Sequence, residues 1–228
     1  MNKVMSAVAV AAISAVSYGS IVSSSVVGYS QNSFGSQFNA VTPVFVDVGN
    51  DTGYNICAVE GSFASGDMIQ IFDKDGNVES TLEWKSRKGN TGWHDDDNNY
   101  LTEYILPKGK SAWFYTAEPM SVTQSGAVYD KSYTLTFGAD FNQTGNPTPV
   151  ALKLSQFTFT GLNSGDMIQI FDADGNVVTT YEWKSRKGNT GWHNDDNDYV
   201  PDQEIPAGQA FWVYCGSAGV TMTIPAVL

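Results

Sequence analysis

The sequence predicts an all-β protein made of two tandem β-sandwich-like units, or small barrels, behind a secretory signal. Three observations predict it. A 35-residue segment, Ser65 to Asn99, recurs as Ser164 to Asp198 with 29 identical positions at an offset of 99 residues. Each copy breaks into short apolar or alternating runs separated by Asp, Gly and Asn, the residues that favour turns. Beyond the first twenty residues no stretch keeps the 3.6-residue apolar period of a helix. The 22 glycines, with 42% hydrophobic and 16% charged residues, fit a loop-rich ordered β protein better than a coiled coil or a disordered chain.

From the start of the chain, Lys3 supplies a short positive region, Val4 to Val16 is apolar, and small residues follow at Ser17, Gly19 and Ser20. That order predicts a signal peptide over 1–19 with cleavage between Ser17 and Ser20. The apolar run falls short of the roughly 20 residues that a membrane-spanning helix needs. The domains are expected at 20–128 and 129–228, each large enough to bury its own core. All six Trp fall into equivalent pairs at the same offset, Trp84 with Trp183, Trp93 with Trp192 and Trp113 with Trp212, and His94 pairs with His193.

Within each unit MetIleGlnIlePhe, an Asp-rich turn at Asp73 to Asn77 or Asp172 to Asn176, and an alternating run ending in GluTrp predict a β-hairpin. A ProLysGlyLys or ProAlaGlyGln turn then leads into AlaTrpPheTyr or PheTrpValTyr. These last runs are apolar on both faces, which predicts a central strand. Between the units, Val128 to Ser132 holds no Pro- or Ser-rich linker, so a short, stiff junction is expected.

The pattern GNPTPV at Gly145 to Val150, followed by GDMIQIFD, GluTrp, GlyTrp and IPAGQAFWVY, resembles a repeat of exported bacterial β-repeat proteins. Those chains also open with a signal peptide and ValValGlyTyr, here Val26 to Tyr29. The resemblance covers essentially the whole mature chain. It implies export and β-repeat architecture and brings no catalytic residue with it.

Charge narrows the function classes. With 12 Lys+Arg against 24 Asp+Glu the formal net charge is −12, which opposes binding to nucleic acid or to an anionic membrane. Cys57 and Cys215 would be free to pair in an oxidising compartment, or would sit as two small buried hydrophobes. The Asp-rich turns carry oxygens suited to calcium, but they lack the further ligands and flanking helices of an EF-hand loop, and AspGly is itself a common hairpin turn. One His per unit is too few for a zinc site, and no nucleophile elbow or Walker loop occurs. No enzyme activity, cofactor or metal is expected.

The most unusual stretch is TrpLysSerArgLysGlyAsnThrGlyTrpHis, present unchanged at Trp84 to His94 and Trp183 to His193 beside an acidic cluster. It reads as a long excursion and has three interpretations. Its Trp residues could anchor a solvated loop to the core. Alternatively, Trp93, His94, Asp96 and Asp97, with Trp192, His193, Asp195 and Asp196, could bind a ligand, an exposed indole stacking on a sugar while carboxylates bond its hydroxyls. Finally, the basic patch of one molecule could meet the acidic patch of another. These readings converge on a secreted structural or adhesive repeat protein of the cell surface or extracellular material, self-assembling in the third case. A carbohydrate-binding module is the alternative. The expected partners are a second copy or an extracellular glycan, without nucleic acid and without stable membrane insertion.

Overall fold

The computed structural model describes residues 27–73, 75–172 and 175–227; the expected signal peptide lies outside them. The first unit contains β1 (Val27–Phe34), β2 (Gln37–Val41), β3 (Gly53–Asn55), β4 (Met68–Phe72), β5 (Val78–Arg87), β6 (Asn90–His94), β7 (Ile105–Pro107), β8 (Ala112–Thr116) and β9 (Met120–Ala127). The second contains β10 (Tyr133–Thr136), β11 (Asp140–Gly145), β12 (Leu152–Lys153), β13 (Thr158–Thr160), β14 (Met167–Phe171), β15 (Val177–Arg186), β16 (Asn189–His193), β17 (Glu204–Ile205), β18 (Ala210–Cys215) and β19 (Thr221–Ile224). Among the described residues only two single-turn 3-10 segments interrupt the strands, and no helix is long and apolar enough to cross a membrane.

Each unit is built on one antiparallel five-stranded sheet, in the order β2-β8-β4-β5-β6 or β11-β18-β14-β15-β16. Period-two alternation sends every second side chain inward. From β4 and β8 the inward residues are Ile69, Ile71, Ala112 and Phe114, and from β5 and β6 they are Leu82 and Trp93. A second layer of shorter ladders closes the core from the other side. In the first unit it comprises β1–β9 and β3–β7, which supply Phe34, Val122, Tyr54 and Leu106. In the second it comprises β10-β19-β13 and β12–β17, which supply Met222, Ile224, Leu152 and Ile205. Both units are therefore sandwich-like, and each has its own core.

β8 and β18 each have a neighbour on both sides in the sheet, and both of their faces are covered, because Trp113 and Trp212 point away from the core where Phe114 and Phe211 point in. The other unit covers part of each outer face, beside the unit's own Phe38 and Phe72 on Trp113 and Phe141 on Trp212. Phe72 packs on Trp212 with ring centroids 5.8 Å apart, and Phe171 packs on Trp113 at 6.1 Å. Phe72 and Phe171 are equivalent in the duplication, as are Trp113 and Trp212, so the contact is exchanged about an internal pseudo-twofold axis in the manner of an isologous dimer. Backbone and hydroxyl groups fasten the same junction. Thr42 N donates to Gly208 O at 3.0 Å, Thr144 Oγ1 donates to Gly109 O at 2.7 Å, and the Ser111 hydroxyl donates to Thr144 O. The connecting segment is pinned as well, since the Lys108 ammonium lies 3.0 Å from the ring centre of Tyr129 and 4.3 Å from that of Tyr133.

Candidate functional site

The repeated stretch Trp84 to His94 is a tight hairpin, which corrects the expectation of a long excursion. β5 and β6 pair from Glu83 with His94 to Arg87 with Asn90, leaving Lys88 and Gly89 as a two-residue turn. Both have positive φ, 50° and 87°, as a type I′ turn requires. Lys187 and Gly188 repeat this at 50° and 84°. Because Trp84 and Trp93 are a directly opposed pair facing inward, their rings meet edge to face at 5.1 Å, with Phe63 against Trp93 at 4.9 Å. Trp93 is 2% and Trp192 3% exposed. The exposed indoles expected of a recognition loop are therefore absent from these positions, since both act as core anchors.

The histidines are inside too. On the opposite face of the strand His94 is covered by Tyr100 at a ring distance of 5.5 Å, and its Nδ1 donates to Gly92 O at 2.9 Å. His193 repeats the contact with Tyr199 at 5.5 Å and Gly191 O at 3.0 Å. Gly92 permits this closure, because a Cβ there would meet Tyr100 Cε2 at 2.8 Å and its φ is +150°. Of the expected ligand-binding residues only Asp96, Asp97, Asp195 and Asp196 are exposed. The structure does not join them with Trp93, His94, Trp192 and His193 on one accessible surface.

The acidic cluster instead begins a turn that recurs along the chain. Asp95 N donates to Asn99 O, while Asp95 Oδ1 accepts from Asn99 N at 2.7 Å and Oδ2 from Asn99 Nδ2 at 3.0 Å. The side-chain amide of Asn99, then its backbone N–H, hold the Asp95 carboxyl below its ordinary value. Asn98 supplies the left-handed residue at φ 65°. Asp73 to Asn77 has the same design, with Asp73 Oδ1 accepting from Asn77 N at 2.8 Å and Gly76 at φ 79°. Asp172 to Asn176 and Asn194 to Asp198 repeat it in the second unit. In the turns that invited a calcium reading, the leading Asp73 and Asp172 are engaged by the chain itself, and no group of three or more metal-ligating side chains forms among the described residues.

Basic residues of the hairpin divide into two kinds. Lys85 pairs with Glu83 at 2.8 Å and Lys184 with Glu182 at 2.7 Å, each along its own strand. Arg87 and Lys88 are exposed at the hairpin tip, at the end of β6 opposite the acidic turn. The free edge of β6 is short, because the returning chain bonds it through Leu101 N to Trp93 O at 2.8 Å. Cys57 and Cys215 are free thiols in the separate cores of the two units. Burial, reinforced by Glu103 and by Asp166 respectively, pushes each up to about 12.

The concave feature that sequence reasoning missed lies at the junction. A cleft of about 460 Å³ opens there between the pairs Phe38 and Phe141, Phe72 and Phe171, and Trp113 and Trp212. Gln70 and Gln169, equivalent in the duplication, add one amide from each unit, and no charged side chain lines the cleft among the described residues. A signal for it was present in the sequence. The both-faced apolar strand that places Phe114 in the core must place Trp113 on the far side, where something has to cover it. No family model, curated protein or solved structure matches the chain.

Proposed function

We propose that the protein is an exported structural or adhesive component of the cell surface or extracellular material, a binding body rather than a catalyst. The observation that carries this reading is the use made of the repeated segment. Its tryptophans, histidines and leading Asp or Asn residues, side chains suited to recognition or chemistry, build with its glycines the same hairpin, core anchor and return turn in both units. A segment kept for architecture in two copies fits a protein whose job is mechanical or adhesive. Further support comes from the signal-like start of the sequence, its net charge of −12, and the face-to-face packing that makes two small units into one larger body.

The test is fractionation of the producing cells with an antibody to the mature chain, combined with electron microscopy of the purified protein on isolated envelope. The reading expects the processed chain outside the cytoplasm, decorating envelope or extracellular material or forming ordered assemblies. Full-length chain confined to the cytosol, or processed chain that remains monomeric and decorates nothing, would overturn it.

A further inference from the structure

We infer that the junction cleft is a binding site for a neutral oligosaccharide, with one site per chain shared by the two units. Its walls determine the class of ligand. The accessible rings of Phe38, Phe72, Phe141 and Phe171, packed on the buried Trp113 and Trp212, supply apolar surface of the kind that accepts the less polar face of a pyranose, and about 460 Å³ lies in the range of small-molecule sites. The absence of charged lining among the described residues, in a strongly acidic chain, disfavours ionic ligands of either sign. Gln70 and Gln169 are half-buried in the cleft wall, and their side-chain amides make no hydrogen bond among the described residues. Each amide offers donors and an acceptor. A purely hydrocarbon ligand would strip water from both without replacing its hydrogen bonds, and that desolvation is unfavourable. A sugar carries hydroxyls around an apolar-faced ring and satisfies aromatic faces and amides together.

Two further groups beside the cleft lack partners. Trp113, 8% exposed, has a buried Nε1 with no hydrogen bond, and Gln143, 9% exposed, has neither amide atom bonded. Both line a small space adjoining Phe171 and Trp212, so the junction holds unused polar capacity inside as well as in the open cleft. Because equivalent residues of the two units face one cleft across the pseudo-twofold axis, a ligand that lies across the axis occupies both halves at once. This gives one ligand per chain, where a site within each repeat would give two.

The inference goes beyond the structural reading, since a surface component could leave its cleft empty, and the two fail in different experiments. The test is tryptophan-fluorescence titration of the full mature chain with cellotetraose, xylotetraose, mannotetraose, N-acetylchitotetraose and maltotetraose up to millimolar concentration. At least one is expected to give a saturable change, and calorimetry of that sugar should give one site per chain. Gln70→Ala combined with Gln169→Ala should weaken it about tenfold or more, the loss expected for two neutral hydrogen bonds, with the thermal midpoint unmoved. The shape-preserving pair Gln70→Leu and Gln169→Leu should do the same, and Asp96→Asn with Asp97→Asn should change nothing. No saturable response to any of the five sugars, two sites per chain, or binding unaffected by the Gln substitutions would overturn the proposal. Fractionation and microscopy would be untouched by that outcome.

Discussion

Replacing Trp93 by Ala distinguishes an anchoring indole from a recognising one, and the structure sets the expected size. The ring is 2% exposed and makes edge-to-face contacts with Trp84 at 5.1 Å and Phe63 at 4.9 Å. Truncating a buried Phe or Trp costs about 3–5 kcal/mol, and each aromatic pair accounts for about 0.5–1.5 kcal/mol beyond buried area. The buried Nε1 has no partner, so no hydrogen bond is lost and the whole cost is packing. For a chain of this size about 2–4 °C of midpoint accompanies each kcal/mol, giving a fall of roughly 6–20 °C. The assay is thermal unfolding followed by near-ultraviolet circular dichroism, with Trp192→Ala as the twin. Asp96→Ala with Asp97→Ala is the exposed control, expected to stay within about 0.5 kcal/mol for each substitution. A Trp93→Ala midpoint as close to wild type as the control's would refute the burial argument and return the indole to the surface.

Three other outcomes follow from named contacts. Gly92→Ala should destabilise by about 1–3 kcal/mol through a strained φ and displacement of Tyr100, and in a Tyr100→Ala background denaturant unfolding should show part of that cost removed. Gly145→Ala should cost about 2–5 kcal/mol, because its Cβ would meet Thr42 Oγ1, Gln209 O and, at 2.9 Å, Ala210 Cα, and the backbone atoms among these cannot rotate away. Calorimetry should then show the two units unfolding less cooperatively, whereas an unchanged single transition would deny the close approach. The fold keeps Cys57 and Cys215 as neutral thiols, pushed up to about 12 mainly by burial. Their contribution to stability is whole below the ordinary thiol value of about 9 and is lost as pH rises from there through about 12. Thermal midpoints taken across that range should fall, and they should fall less in Cys57→Ala with Cys215→Ala.

Much of this architecture can be read from local pattern because strands and turns are local. Alternation in MetIleGlnIlePhe fixes which of its residues face the core, and an apolar run without alternation marks β8 and β18 as covered on both sides. The hairpin at Lys88 and Gly89 was harder to read. A lysine in the left-handed region carries no strong sequence signal, so Lys-Gly between two strands looks like part of a long loop. The burial of His94 was hidden for a related reason. It depends on Gly92 leaving room for Tyr100 to fold back, and that contact exists only once the Asp95 to Asn99 turn has reversed the chain. Four turns of one design could have been recognised from their Asx-x-x-(Gly or Asn)-(Asn or Asp) spacing, since the first side chain must cap the last residue's N–H. The junction lies furthest from sequence reasoning. Both copies carry the Phe and Trp that meet there, but some partners come from different repeats, and no periodicity shows that Phe72, which packs on Trp113 of its own unit at 6.3 Å, also rests on Trp212 of the other.

The central claim is that the two repeats form one rigid body with a shared cleft. Pulsed dipolar spectroscopy between nitroxides placed at the exposed positions Asp97 and Asp196, one per unit, tests it most directly. The labels would be introduced through Asp97→Cys and Asp196→Cys in a Cys57→Ala, Cys215→Ala background. The account predicts a single narrow distance distribution, broadening in Gly145→Ala where the junction is wedged apart. A broad distribution in the protein without the wedge, as from two domains moving independently on a tether, would contradict it.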